Sequence, residues 1–150
     1  MRFQRINLSD GDKIFMRGQN VSTETLSKGY AVCLDTATAG SFGVRMTKPL
    51  TANLNLFVGL NAETLSVPVN DYFDVQTYGS CTFGRIIQDT TAAGSVASGG
   101  ILKLSNDDWN LLLSGATAVG AIGMVVSCTA IATATVTAAT ASKAVWIRAM

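Results

Sequence analysis

The chain of 150 residues contains no histidine. That absence removes the commonest general base and the commonest zinc ligand, and it excludes Ser-His-Asp and Cys-His catalysis. Charge is scarce as well: Asp, Glu, Lys and Arg make up 14% of the residues, where about 25% is usual. A net charge of +1 supplies no strong field for nucleic acid or an anionic membrane. The three cysteines, Cys33, Cys81 and Cys128, lie far apart and form no C-x-x-C pair. Neither a zinc site nor a disulfide framework is indicated, and buried, reduced thiols are expected. From Trp109 to Ser142 charge disappears altogether.

A soluble surface normally interleaves charges of both signs, so an uncharged stretch of this length belongs in a core, in a membrane or against another subunit. A spanning helix needs about 20 mainly apolar residues. Beyond Leu113, however, the stretch turns to Ala, Thr, Ser and Gly, and Gly115, Gly120, Gly123 and the β-branched residues all oppose a helix. No Lys/Arg cluster flanks it to set a topology, so no membrane association is expected. Met1–Asp10 has no apolar run of the secretory kind, which gives the expectation of a protein made in a cytoplasm and kept or assembled there. Contact with a neighbour remains. The tract Thr129–Ser142 is almost entirely Ala and Thr, and Thr133, Thr135 and Thr137 alternate along it as in an extended strand. These three are candidate interface residues, because an uncharged, unpaired edge is an aggregation hazard in a monomer.

The carboxylates fall in patterns that favour turns over catalysis. Asp71 with Asp74, or Asp107 with Asp108, would be the candidate pairs, but neither follows the spacing of a calcium loop. Their neighbours Asn70, Asn106 and Ser105 point to turn and cap chemistry. Gly94–Gly100 lacks the lysine of a phosphate loop and the dinucleotide fingerprint, and reads as a loop between strands. No catalytic residue, cofactor or metal is expected.

What the chain does hold is strand signal. Runs of Val, Ile, Phe, Tyr and Thr alternate with Gly, Asn, Asp and Ser at the intervals of an all-β fold. Strands are predicted at Lys13–Arg17, Tyr30–Leu34, Phe42–Met46, Leu65–Val69, Ile101–Leu104, Gly123–Ser127 and Ala144–Arg148. Leu54, Leu56, Val58 and Leu60 alternate with Asn53, Asn55, Phe57 and Asn61 in period two. Tyr72–Thr77 and Cys81–Ile87 flank Gly79 as a hairpin or a bulged strand. Ser105, three residues ahead of Asp108, predicts one short helical turn over Trp109–Leu113. The Ala/Thr tract links the last two strands.

Residues 1–20 form a separate zone, an N-terminal arm or first strand, ahead of a single β-rich domain over 21–150. Arg2, Arg5, Lys13 and Arg17 are interleaved there with Phe3, Ile6, Leu8, Phe15 and Met16. Four dispersed cations do not make a nucleic-acid patch. An arm that adds to a partner by strand pairing fits them better, with Arg2, Phe3, Arg5 and Ile6 as candidate contacts to that partner or to another subunit.

The order of these pieces resembles the head decoration, or cement, proteins of tailed bacteriophages. Lys28-Gly-Tyr-Ala-Val-Cys-Leu-Asp35, Leu56-Phe-Val-Gly59, Val75-Gln-Thr-Tyr-Gly79, Gly99-Gly-Ile-Leu-Lys-Leu104, Ala121-Ile-Gly123 and Ala144-Val-Trp-Ile147 resemble, in sequence, that family's glycine-led strands. The likeness runs from Lys28 to the C-terminus; the longer N-terminal zone and the segment around Trp109 depart from it. It implies a small all-β barrel or sandwich, to which the N-terminal zone of this chain adds the extended arm read from its composition. It also implies a structural, non-enzymatic virion protein on the outer surface of the head that bridges major capsid subunits. A homotrimer is implied, with a dimer as the alternative. Another β-rich virion component, tail tube or head completion, is a competing expectation. So is a carbohydrate-binding β-domain, for which Tyr30, Tyr72, Tyr78, Trp109 and Trp146 are the available aromatics.

Overall fold

The computed structural model describes residues 13–37, 44–87, 99–114, 123–127 and 141–149. Its regular structure is nine strands, with no helix among the described residues: β1 (Ile14–Asn20), β2 (Ala31–Leu34), β3 (Arg45–Thr47), β4 (Phe57–Asn61), β5 (Tyr72–Ile87), β6 (Ile101–Leu104), β7 (Leu111–Ser114), β8 (Gly123–Ser127) and β9 (Ala141–Arg148). The expected all-β barrel class is what the chain adopts.

β5 organises the rest. At 16 residues it is far longer than the usual strand of about 5–6, and it serves two circuits. Its first half pairs with β1 and β4, and the order β1-β3-β2-β4-β5 returns to β1 as a closed five-stranded barrel. Its second half pairs with β7 and β9, which β6 and β8 connect. Closing a sheet on itself removes free edges.

Two buried clusters follow the two circuits. Val32, Met46, Val58, Phe73 and Val75 form one, with Leu26 and Val67 from flanking loops. Cys33, Phe57, Leu60, Ile86, Leu102, Leu111, Val145 and Ile147 form the other. β2 and β4 contribute to both, Val32 and Val58 to the first and Cys33, Phe57 and Leu60 to the second, so they are buried on both faces. That explains why all five residues of β4 are buried, where the period-two pattern predicts one wet face. A strand covered on both sides has no need of a polar stripe.

Four other expectations are corrected. Trp109 and Asn110 form a bend and Leu111 begins β7. The fully buried Leu111 pairs with Leu104 and Ile86, so sheet packing overrides the helical signal, and the Asp108 carboxylate accepts from the Asn110 N–H at 3.0 Å as a turn instead. Gly79 does not turn the chain, so the hairpin alternative is replaced by one continuous β5 that is irregular opposite β9 between Cys81 and Gly84. The first strand does not stop at Arg17 as predicted; Gly18-Gln-Asn20 continues β1 against β3 and β5. Leu65–Val69 makes a single bridge, Leu26 with Val67, and is otherwise a loop.

Candidate docking surface

The loop between β4 and β5 is clamped chiefly by a buried side chain of β1. Asn20, at the end of β1, has no solvent exposure. Its Nδ2 donates to the carbonyls of Glu24 (3.0 Å), Val67 (3.2 Å) and Pro68 (3.1 Å). Its Oδ1 accepts from the Ser22 N–H (3.1 Å) and hydroxyl (2.7 Å). The Leu26 and Val67 backbones exchange two hydrogen bonds of 2.9 Å. Asn70 takes a left-handed conformation (φ 70°), and its N–H donates to the Asn20 carbonyl at 2.7 Å. A fully paired polar hub of this kind fixes a loop in one conformation.

This clamped loop presents apolar side chains to water. Leu65 is 79% exposed, Tyr72 53% and Val69 41%. Between them runs an open groove of about 180 Å³ lined by Glu63, Leu65, Val67, Pro68, Asp71 and Tyr72. Its rim is acidic. Glu63 Oε1 accepts from the Asp74 N–H at 3.1 Å, and among the described residues no lysine or arginine lines the groove. The nearest cation along the ribbon, Arg17, faces Asp74 at 3.7 Å. A rigid loop carrying exposed apolar groups inside a charged rim has the composition of a protein-docking patch.

A second apolar exposure lies at the other end of the same ribbon. β1 runs antiparallel to β5, with Gln19 opposite Tyr72 and Ile14 opposite Tyr78. Six residue steps along β5 therefore separate the two ends, about 20 Å at strand rise. Ile14 is 56% exposed and Phe15 52%, at the point where residues 1–12 join the barrel.

The aromatic candidates are mostly spent on structure. Trp109 is 5% exposed; it stacks on Tyr30 at 5.3 Å and 8°. Its Nε1 donates to Glu24 Oε2 at 2.8 Å. Arg85 covers the outer face of this pair at Tyr30, 4.9 Å from the centroid, and Lys48 lies 5.8 Å from the Trp109 ring. Lys48 also reaches Glu24 Oε1 (3.0 Å) and Asp107 Oδ1 (3.1 Å). Trp146 packs edge-on to Tyr78. Tyr72 is the tyrosine left open to a ligand among the described residues.

No group of three or more Cys, Asp or Glu able to hold a metal ion occurs among the described residues. Burial pushes the Cys33 thiol up to about 12 and the Cys81 thiol to about 11, so both are poor nucleophiles at neutral pH.

Arg2, Phe3, Arg5, Ile6, Thr133, Thr135 and Thr137 all lie outside the described residues, as does Cys128. The groove residues escape a sequence reading because Leu65-Ser-Val-Pro-Val69 scans as a strand. The signal that singles them out is the punctuation around them: Pro68 and Asn70-Asp71 deny the segment a ladder, so of its apolar residues only Val67 is drawn into the core while Leu65 and Val69 stay exposed. No family model matches this chain, and no curated protein or solved structure matches it.

Proposed function

We propose that this protein is a structural component of a tailed-phage head, a decoration protein that binds the outer face of the shell and bridges major capsid subunits as a homo-oligomer, a trimer in the first instance. The observation that supports it is the pair of exposed apolar surfaces at opposite ends of the β1–β5 ribbon, Leu65/Val69/Tyr72 and Ile14/Phe15. A bridging protein needs at least two sticky surfaces on one stiff body, because multivalent engagement converts modest contacts into tight net binding. A closed barrel supplies the stiffness. The role asks for no chemistry of its own, so the protein is read as a non-enzyme that needs no cofactor, acting outside membranes and without direct nucleic-acid contact.

The test is co-sedimentation of the full chain with empty phage heads that lack it. Saturable binding is expected, and Phe15→Asp or deletion of Met1–Leu8 should weaken it while the circular dichroism spectrum stays unchanged. A chain that leaves the heads bare at micromolar concentration overturns the proposal. A second reading, carbohydrate binding, has one observation in its favour, the exposed Tyr72 ring beside Glu63 and Asp71. Tyr72→Ala abolishing retention on a glycan array would favour it.

A further inference from the structure

The geometry points to a specific occupant of the acidic groove: the segment Arg2-Phe3-Gln4-Arg5-Ile6 of a second copy of this chain. The inference rests on the oligomeric reading above and assigns one of its contacts.

The chemistry of the two surfaces is complementary. The groove offers two carboxylates, Glu63 and Asp71, above walls made by Leu65, Val67, Pro68 and Tyr72. Glu63 uses Oε1 on the Asp74 amide, which leaves Oε2 for an incoming donor. The segment offers two guanidinium groups spaced by Phe3 and Gln4 and followed by Ile6. Guanidinium groups pair with carboxylates through a planar fork and stack on tyrosine faces, and the apolar side chains between them match the walls. A rigid, pre-formed receptor lowers the ordering cost of capturing an extended segment.

Placement selects a second copy. The arm enters the barrel at Ile14, opposite Tyr78, while the groove sits at Tyr72. Donor and acceptor thus occupy opposite ends of the ribbon, about 20 Å apart. Nine residue steps separate Arg5 from Ile14, a reach of up to about 30 Å. To enter its own groove the arm must reverse along β1; to enter a neighbour's it continues outward. A head-to-tail contact of this kind closes into a ring when the rotation between copies permits.

Charge reversal with mixing decides the matter, using the full chain and no heads. One variant carries Arg2→Glu and Arg5→Glu; the other carries Glu63→Lys and Asp71→Lys. Sedimentation velocity of the natural sequence is expected to show a discrete oligomer. Each variant alone should self-associate roughly 100-fold more weakly, since like charges then face each other across the contact. An equimolar mixture should restore association between the two variants, because each arm finds its complement only on the other variant; a three-membered ring built from them would still hold one like-charged contact. Should Glu63→Lys disturb the loop through its bond to Asp74, Leu65→Lys with Asp71→Lys replaces it, Leu65 being the most exposed of the large hydrophobic residues described.

Three results overturn the inference. The natural chain stays monomeric; either variant assembles like the natural chain; or the mixture stays dissociated while one chain bearing all four reversals recovers the natural chain's behaviour. The last result places the arm in its own groove, a return that Ser9-Asp10-Gly11-Asp12 has the turn chemistry to allow. A chain that assembles as expected and ignores heads sinks the shell reading and leaves this one standing.

Discussion

The two strand circuits that share β5 are built on different principles. The first barrel and its loops hold the described buried polar residues: Asn20, Ser22, Asn53, Asn61, Gln76 and Thr77. Most of their side chains tie backbone to backbone, as Asn53 does with the Leu34 and Lys48 carbonyls and Asn61 with the Ser27 carbonyl. The second circuit is held by aliphatic contact, with Leu102, Leu111, Val145 and Ile147 in its interior. Aliphatic packing holds strands together without direction, whereas a buried amide with every partner in place specifies the position of a loop. The docking groove lies on the polar half, where loop position matters. The chain's charge-free stretch, Trp109 to Ser142, runs through β7 and β8 of the aliphatic half.

The seam between the halves is where the largest effect is expected. Gly29 has φ +83°, and a Cβ there would collide with the Phe83 carbonyl oxygen of β5. Its N–H donates to the Asn61 carbonyl at 2.9 Å, so the loop cannot simply lift away. Gly29→Ala should destabilise by more than about 3 kcal/mol in urea melts, because collision adds to left-handed strain. Gly99 is the control: its φ is +84° with nothing within 4 Å of the added Cβ, so Gly99→Ala should cost about 1 kcal/mol. Equal losses at both glycines would mean that the two halves are not rigidly joined.

Next in size comes a pair that separates the halves. Leu102→Ala empties part of the aliphatic core and should cost about 3 kcal/mol. Asn20→Ala strips the hub from three carbonyls and Ser22 and should cost about 2 kcal/mol. Hydrogen exchange distinguishes them. Asn20→Ala should speed exchange at the Leu26 and Val67 amides well beyond its global effect, and Leu102→Ala should leave those amides tracking global unfolding. Matching patterns in the two variants would refute the division into a specifying half and a packing half.

The all-β class and most strand positions were legible because β-branched and aromatic runs broken by Gly and Asn are a local signal. What was not legible was long-range. Nothing near Phe57 reports that β4 is covered on its second face by the other circuit, and Leu111 enters a strand against its local helical signal because Leu104 and Ile86 flank it. The groove was hidden for a similar reason: Asn20 and Val67 stand 47 residues apart, and only the fold reveals that one clamps the other. The candidate contacts Arg2, Phe3, Arg5 and Ile6 came from composition, which identifies a donor but not its acceptor.

The smallest effect sits at the edge of the polar half and depends on pH. Glu24 has its pKa lowered from 4.5, first by the hydrogen bond from Trp109 and then by Lys48. A carboxyl with a depressed folded value stabilises the fold fully above its unfolded pKa and loses that contribution as pH falls through the folded one. Lys48 is raised above 10.5, chiefly by its bond to Glu24, so its share is complete below that pH and disappears only as pH rises through the folded value. Glu24→Gln should therefore lower Tm at pH 7, with a stability loss under about 1 kcal/mol because the side chain is half exposed and screened. The gap between natural and variant Tm should narrow as pH falls below 4.5. Thermal melts from pH 7 to pH 3 read this directly. Parallel curves over that range would show that the Glu24 charge contributes nothing to the fold.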